Sequence, residues 1–420
     1  MTLKEERLTF TTNDGLTVNL IQKPGYKQSI GAITARFGSL TNTFVDETGK
    51  TVSVPAGTAH FLEHKLFDKE DGDALVGFLD RGADANAFTS NTATCYYFTA
   101  TSQLEENLDH LMTFVEEPYF TQEKVDREKG IIEEEISSYA DDPFWMLYQG
   151  ILKAAYPDSA IGEDIAGSKE SIATITPELL YSVYERFYQP KNLVLTVVGD
   201  FDQENLRRFI EQKQQTFNKK ALPLEQHNFS RPIEPIAVQE TKHYPISQPK
   251  LAMLAGLPLA SHPLSGEERV KERLMAEFAF DLVFGEQTAW YQEQYQKGVL
   301  GDDFDYEIES SGPYFFVTFF SAGENVNQQI EIIQKRFGDA KAVLKRAEGD
   351  FTRLKKALIG ENISAMDRLS KLALDEDLAL YGLSYFDKMR LITQFRFCDI
   401  EEYSQQALFD GLLTRFMIKK

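Results

Sequence analysis

Two histidines and a glutamate stand close together in the segment His60-Phe61-Leu62-Glu63-His64, which has the spacing H-x-x-E-H. Because an α-helix turns by about 100° per residue, His60 and His64 lie about 40° apart on one face. Glu63 lies about 60° to the other side of His60. Two imidazoles in this arrangement can hold one metal ion while the carboxylate stands beside it without being a ligand.

The surroundings of this motif favour a metal site over an accidental pattern. Histidine is scarce, at six of 420 residues, and two of the six fall in the motif. H-x-x-E-H is also a signature of zinc peptidases. The alternative is a surface helix with two solvated histidines, or histidines satisfied in a core. The flanking residues Ala59, Phe61 and Leu66 indicate a helix that is at least partly buried.

A tetrahedral zinc site in a hydrolase needs three protein ligands and one open position, so a third ligand must come from elsewhere. A helix predicted over residues 121–139 carries several glutamates. Its apolar arc begins at Ile131 and spans about 140°. Glu135 and Glu128 lie inside that arc, at about 40° and 60°, whereas the two glutamates preceding Glu135 lie outside it.

Buried carboxylates need a compensating charge, because burying an unpaired charge is costly. A metal ion with its two histidines would supply that charge. We therefore predict that Glu135 is the third ligand and that Glu128 orients the site from behind the ligands. The alternative is that either carboxylate pairs with a buried arginine or lysine.

The chain is long enough for two domains, and proline marks a boundary between them. Seven of the 15 prolines fall between residues 223 and 263. We predict an N-terminal domain over residues 1–218 with the metal site, a linker over 219–242, and a C-terminal domain over 243–420 without a metal. Strands and helices are mixed in both halves, which predicts an α+β fold built from two similar domains.

Composition excludes several classes of function. Lys and Arg total 44 against 65 Asp and Glu, giving a net charge of −21, so neither nucleic acid nor an anionic membrane is the expected partner. We expect no membrane span, since no stretch approaches 18 apolar residues. The N-terminus lacks the apolar segment of a signal peptide. The two cysteines match no metal or redox spacing, which predicts a reducing, cytoplasmic location.

Several further motifs carry a resemblance to the M16 metallopeptidases, the pitrilysin-type family with an inverted zinc motif. The chain is especially similar to the motif-bearing subunit of the short, two-domain type found in Gram-positive bacteria. The matching segments include Phe37-Gly-Ser-Leu, Pro55-Ala-Gly-Thr-Ala-His60-Phe-Leu-Glu-His64-Lys-Leu-Phe, Gly82-Ala-Asp-Ala-Asn86-Ala-Phe-Thr-Ser, Glu128-Lys-Gly-Ile-Ile-Glu-Glu-Glu135-Ile and Phe187-Tyr-Gln-Pro-Lys-Asn-Leu-Val-Leu.

The resemblance implies two tandem homologous α/β-roll domains and a zinc-dependent endopeptidase or oligopeptidase with one Zn²⁺ per chain. It implies that His60, His64 and Glu135 are the metal ligands, that Glu63 is the general base, and that Glu128 is the second carboxylate of its helix. Its agreement with the helical phase supports Glu135 over the other glutamates of the run.

In the M16 family an edge strand binds the extended peptide substrate. The resemblance carries that role to Asn86, Ala87, Phe88 and Thr89.

One departure from the family concerns the C-terminal half. Complete single-chain members carry an arginine and, seven residues later, a tyrosine that help to hold the substrate and its oxyanion. The corresponding positions are Tyr295 and Asp302, which cannot do this, because tyrosine is neutral and an aspartate repels an oxyanion. We therefore expect a clamshell hetero-oligomer in which a homologous partner subunit supplies the two groups, or else a homodimer. The alternative function is a non-catalytic peptide-binding or scaffold subunit with the same fold.

Overall fold

The structure is a computed structural model of the chain, and it describes residues 7–46, 48–217, 233–258, 265–409, 411 and 413–420. No helix among these residues is long and apolar enough to cross a membrane.

Strands and helices are mixed along the described residues, often in runs of one type. The strands are β1 (Arg7–Thr11), β2 (Thr17–Gln22), β3 (Ser29–Ala35), β4 (Thr43–Val45), β5 (Thr51–Ser53), β6 (Asp84–Thr89), β7 (Thr94–Ala100), β8 (Leu193–Gly199), β9 (Gln239–His243), β10 (Lys250–Gly256), β11 (Asp305–Ser311), β12 (Tyr314–Ala322) and β13 (Thr414–Lys419). The α-helices are α1 (Thr58–Phe67), α2 (Ala74–Leu79), α3 (Leu104–Glu116), α4 (Gln122–Ala140), α5 (Pro143–Ala155), α6 (Lys169–Ala173), α7 (Pro177–Phe187), α8 (Gln203–Gln214), α9 (Gly266–Phe284), α10 (Ala289–Gln296), α11 (Val326–Leu344), α12 (Glu348–Ala365), α13 (Leu369–Ala373), α14 (Glu376–Tyr381), α15 (Tyr385–Gln394) and α16 (Phe397–Tyr403). Short 3₁₀ or π turns occur at Ala160–Gly162, Pro190–Asn192 and Ser404–Leu408.

The first compact unit gathers the described residues of Met1–Ser137, Asp164–His227 and Ser364–Phe386. Its main sheet has the order β1-β2-β8-β3-β7-β6, with a parallel pair at β2 and β8 and antiparallel pairs elsewhere. Helix α1 packs on β6 and β7, α3 packs on β3 and β7, and α13 packs on β3 and β8. The core is continuous from the sheet into α1, where Phe61, Leu62 and Leu66 are fully buried.

The second compact unit gathers the described residues of Ser138–Glu163, Asn228–Ile363 and Asp387–Lys420. Its sheet has the order β11-β12-β10-β13-β9, in which only β9 and β13 are parallel within the described residues. Helix α5 packs on β10 and β13, while α9 packs on α11 and β11. Aromatic side chains fill much of the core, with Phe280 in contact with Phe284, Phe319 and Phe337.

The α+β fold predicted from the sequence is confirmed, with a mixed sheet and packed helices in each unit. The units are not continuous in sequence: each gathers segments from both sides of the predicted linker over residues 219–242. The physical reason is that α5 buries its apolar face on β10 and β13, and α13 does so on β3 and β8. The predicted linker lies outside the described residues over 219–232, and its last residues enter β9.

The start of α1 is fixed by Gly57, the residue that precedes the helix. Its φ of 89° lies in the left-handed region, which favours glycine. A Cβ at this position would also lie 2.4 Å from the carbonyl oxygen of Ala166. Gly57 therefore sets where α1 begins, and with it the direction in which the H-x-x-E-H residues point.

Candidate metal centre

Two helices of the first unit bring the predicted ligands together. His60 and His64 lie one turn apart on α1, with their ring centroids 4.6 Å apart. Glu135 reaches them from α4: its carboxylate lies 3.7 Å from Nε2 of His60 and 3.8 Å from Nε2 of His64. The helical phase that selected Glu135 therefore agrees with the geometry, although Ile131, the start of the predicted apolar arc, is exposed. Ile131 instead lines a cavity beside the site.

The three side chains fit a metal ion. One ligand atom from each lies within 4.8 Å of the others, the only group of this kind among the described His, Cys, Asp and Glu residues. The separations of 3.7 and 3.8 Å are too long for hydrogen bonds. They lie near the roughly 3.4 Å expected between ligands held about 2.1 Å from a tetrahedral zinc ion. Two imidazoles and one carboxylate are a donor set found in catalytic zinc sites.

Electrostatics shift the pKa values of the two histidines in opposite directions. Burial, aided by the charge of His64, lowers the pKa of His60 to about 4, so its imidazole is neutral near pH 7 with a lone pair available to a metal. Burial also acts to lower the pKa of His64. The hydrogen bond with Glu128 and the charges of Glu128, Glu63 and Glu135 outweigh it, and the pKa of His64 is raised.

Glu128 lies behind His64, as the sequence predicts. Its Oε1 lies 3.0 Å from Nδ1 of His64, and its side chain is 10% exposed. A carboxylate accepts hydrogen bonds, so Nδ1 carries the hydrogen and Nε2 is directed toward Glu135. The alternative of a buried cation beside Glu128 also holds in part, since Lys65 Nζ lies 3.8 Å from Oε2.

Glu63 occupies a separate position beside the histidines. Its side chain is buried, and its Oε2 accepts a hydrogen bond of 2.5 Å from the hydroxyl of Thr89. Burial raises the pKa of Glu63; the hydrogen bond from Thr89 and the charge of His64 act in the opposite direction. A carboxylate with a raised pKa is better able to accept a proton from water and later release it.

Asn86, Ala87, Phe88 and Thr89 lie in β6, which is an edge strand of the first unit's sheet in the described residues. A cavity of about 720 Å³ lies between the first residues of this strand and His64. Glu63 and His64 line it from α1, Ala85 and Asn86 from β6, and Ile131 from α4. The first residues of the edge strand and one candidate metal ligand, His64, therefore line the same open cavity.

The two positions that depart from the family pattern lie in the second unit. Tyr295 lies near the end of α10, 45% exposed, with its ring 5.9 Å from that of Tyr291. Asp302 is exposed in the turn before β11. Both side chains are on the surface of that unit, with a neutral and an acidic group respectively.

Two features of the site were not predicted from the sequence. One is the hydrogen bond from Thr89 to Glu63, which joins residues 26 positions apart. The other is the ion-pair chain of Lys65, Asp68 and Lys124 behind Glu128. Lys65 next to His64 on a partly buried helix was the available signal, because lysine is rarely buried without a partner.

Comparison with known proteins places this geometry in a family. Residues 51–169 match the family described as "Insulinase (Peptidase family M16)", and residues 174–358 match "Peptidase M16 inactive domain". The zinc protease YmfH of Bacillus subtilis is 34% identical over 421 residues, covering 98% of this chain and 95% of that protein. The chain belongs to peptidase family M16.

Other M16 relatives match over less of the chain or at lower identity. A zinc protease of Mycobacterium tuberculosis is 32% identical over 165 residues, which cover 38% of this M16 chain and 37% of that protein. Among solved structures, an M16-like peptidase from Alicyclobacillus acidocaldarius superposes with a TM-score of 0.90 at 26% identity, covering 100% and 99% of the two chains. A protease from Helicobacter pylori shares the fold, with a TM-score of 0.79 at 17% identity and complete coverage of both chains.

Proposed function

We propose that this M16 chain is a zinc-dependent peptidase that hydrolyses peptide bonds in extended peptides. One observation carries the proposal: His60, His64 and Glu135 converge with metal-ligand spacing. Glu63 is outside this group and accepts a hydrogen bond from Thr89. A buried carboxylate next to a metal site, but outside its ligand set, can act as the general base of metal-dependent peptide hydrolysis. The zinc proteases among its relatives support the same function.

Each residue of the site has a distinct part in the proposed reaction. Zinc, when bound, supplies a Lewis acid that polarises the scissile carbonyl and acidifies a water molecule. His60, His64 and Glu135 hold the ion, with one zinc per chain. Glu63 removes the proton from the attacking water and delivers it to the leaving amine.

The substrate is proposed to add a strand to β6, along Asn86, Ala87, Phe88 and Thr89. Extended peptides bind exposed sheet edges through backbone hydrogen bonds, and pockets for alternate side chains then give specificity. The position of β6 at the sheet edge and the 720 Å³ cavity beside it support this path. A peptide strand bound there would place a peptide bond near Glu63, because Thr89, the last residue of β6, is hydrogen-bonded to Glu63.

Metal analysis combined with a cleavage assay tests the function. The purified chain should contain zinc and cleave members of a mixed peptide library. Glu63→Gln should retain zinc and lose cleavage by about 10²-fold or more, since a general base contributes on that order. If the wild-type chain binds no zinc, the scaffold alternative gains support. If Glu63→Gln cleaves at the normal rate, the role of Glu63 is wrong.

Assembly belongs to the same proposal. Because Tyr295 and Asp302 stand where the family pattern has an arginine and a tyrosine, we infer a homologous M16 partner subunit that supplies those two groups, with a homodimer as the alternative. Adding such a subunit, one that lacks the zinc motif, should raise the activity of the chain. Robust cleavage by the purified chain as a monomer would contradict this inference.

The two free cysteines, Cys95 and Cys398, are the basis for proposing a reducing, cytoplasmic location.

A further inference from the structure

Lys65 is a lysine buried completely inside the first unit. Its side chain is 0% exposed, and it directly follows His64 on α1. Transferring an ammonium group from water into a protein interior is costly unless the charge is paired and hydrogen-bonded. A lysine in this position therefore needs a specific set of partners.

Two carboxylates surround the buried ammonium group. Nζ of Lys65 lies 2.5 Å from Oδ2 of Asp68 and 3.8 Å from Oε2 of Glu128. Lys65 and Asp68 form a short charge-assisted hydrogen bond. Lys65 and Glu128 form an ion pair whose separation is too long for a hydrogen bond. Lys65 is thus held firmly by Asp68 and presents its charge to Glu128.

Asp68 is in turn tied to α4, the helix that carries Glu128. Lys124 Nζ lies 2.6 Å from Oδ1 of Asp68, and an Arg127 guanidinium nitrogen lies 2.8 Å from Oδ2. Both cations come from the same stretch of α4 as Glu128. The chain of ion pairs therefore fixes the end of α1 against α4 at the level of the metal centre.

Glu128 uses its two oxygens for two neighbouring residues of α1. Oε1 accepts from Nδ1 of His64 at 3.0 Å, and Oε2 faces Lys65. With one oxygen on each residue, the carboxylate has little freedom to rotate. Loss of the Lys65 charge would leave Oε2 of a nearly buried carboxylate without its cation.

We propose that Lys65 is a positioning residue of the metal centre, acting through Glu128. It holds the carboxylate in the orientation that keeps the hydrogen on Nδ1 of His64 and directs Nε2 toward the metal. The inference rests on the proposed function, because it concerns the same zinc site. Partners of a metal-bound histidine that do not touch the metal typically contribute 10–100-fold to metal affinity.

Zinc affinity of the metal-free, full-length chain, measured by competition with a chelator, tests the role. Lys65→Met removes the charge and keeps an unbranched side chain of similar length, and it should bind zinc about 10–100-fold more weakly than wild type. Lys129→Met is the matched control. Lys129 lies on α4 and pairs with Asp126, so the zinc affinity of this variant should equal that of wild type.

A double-mutant cycle separates positioning from a general effect on folding. In a Glu128→Gln background, Lys65→Met should lower zinc affinity by less than threefold, because its route to His64 is already lost. An undiminished loss in that background, or wild-type affinity for Lys65→Met alone, would overturn the proposal. If circular dichroism shows that Lys65→Met does not fold, Lys65→Gln is measured in the same cycle with the same criteria.

The same data distinguish this inference from the proposed function. Absence of zinc binding in the wild-type chain would remove the proposed function and, with it, the role of Lys65. Zinc binding that is equal in wild type and Lys65→Met would remove only the role of Lys65.

Discussion

Thr89 donates a hydrogen bond from its hydroxyl to the carboxylate of Glu63, with 2.5 Å between Oγ1 and Oε2. Thr89 is the last residue of β6, the strand proposed to receive the substrate, and Glu63 is the proposed general base on α1. One hydrogen bond therefore joins the proposed peptide-binding edge to the group that would move the proton.

Removing this hydrogen bond should slow the reaction without disturbing the metal. Thr89→Val keeps the shape of the side chain and removes the hydroxyl, so Glu63 loses a partner that fixes its orientation. Since hydrogen bonds to charged groups contribute about 1.5–3 kcal/mol, we expect kcat to fall roughly ten- to hundredfold. The measurement is steady-state cleavage of a peptide, together with zinc content.

Thr89→Ser is the control for this prediction, because it restores the hydroxyl at the same position. It should recover most of the wild-type kcat, while zinc content stays at the wild-type level in both variants. A Thr89→Val enzyme with normal kcat would show that the bond does not position Glu63.

The choice among the glutamates of α4 can be tested by metal content. Glu135→Ala removes the carboxylate that faces both histidines, so zinc occupancy after dialysis against a weak chelator should fall more than tenfold. Glu133→Ala removes a neighbouring carboxylate of the same run and should leave occupancy unchanged. Equal occupancy in the two variants would contradict the assignment of Glu135 as a ligand.

A buried aspartate in the second unit makes stability depend on pH. Burial raises the pKa of Asp281 from its ordinary value of 3.8 to about 6, against the opposing hydrogen bond from the Tyr306 hydroxyl. The folded state therefore holds this proton more tightly than the unfolded state. The contribution of this bound proton to the free energy of unfolding is complete below about pH 4 and is lost as the pH rises through 6.

Asp281→Asn should remove this dependence, because an amide can still accept from Tyr306 but carries no charge. At pH 7.5 the variant should be more stable than wild type by about 2–3 kcal/mol, from a shift of roughly two pKa units. The gain should vanish near pH 4 in urea unfolding curves. Asp305→Asn, an exposed site on β11, should differ from wild type by less than about 0.5 kcal/mol at either pH.

Replacement by alanine should have opposite effects on stability at two helical glycines, one packed against a strand and one facing open space. A Cβ on Gly150 would lie 2.4 Å from the ring of Phe416 on β13, so Gly150→Ala should destabilise the protein by about 1–3 kcal/mol. A Cβ on Gly130 of α4 would meet nothing within 4 Å. Gly130→Ala should therefore stabilise by about 0.5–1 kcal/mol, the usual gain of alanine over glycine in a helix.

Thermal unfolding of both variants measures the difference. Stabilisation by Gly150→Ala would mean that α5 does not pack closely on Phe416.

Much of the candidate metal centre could be predicted from the sequence, because its candidate ligands follow helical periodicity. His60 and His64 share a face of α1 by their spacing alone, and the phase of α4 separated Glu135 and Glu128 from their neighbours. These are relations within one helix, and a regular helix fixes them locally. The predicted phase was wrong at Ile131, since a cavity rather than the core lies against that side chain.

Relations between elements were decided only by the tertiary structure. The bond from Thr89 to Glu63 depends on how β6 packs against α1, and the partners of Lys65 depend on how α1 meets α4. Likewise, no local signal in the sequence shows that α5 packs with strands of the C-terminal half, or that α13 packs with strands of the N-terminal half. Periodicity states which face of an element is apolar, but not which distant element covers it; the packing that buries the most apolar surface at the least strain makes that choice.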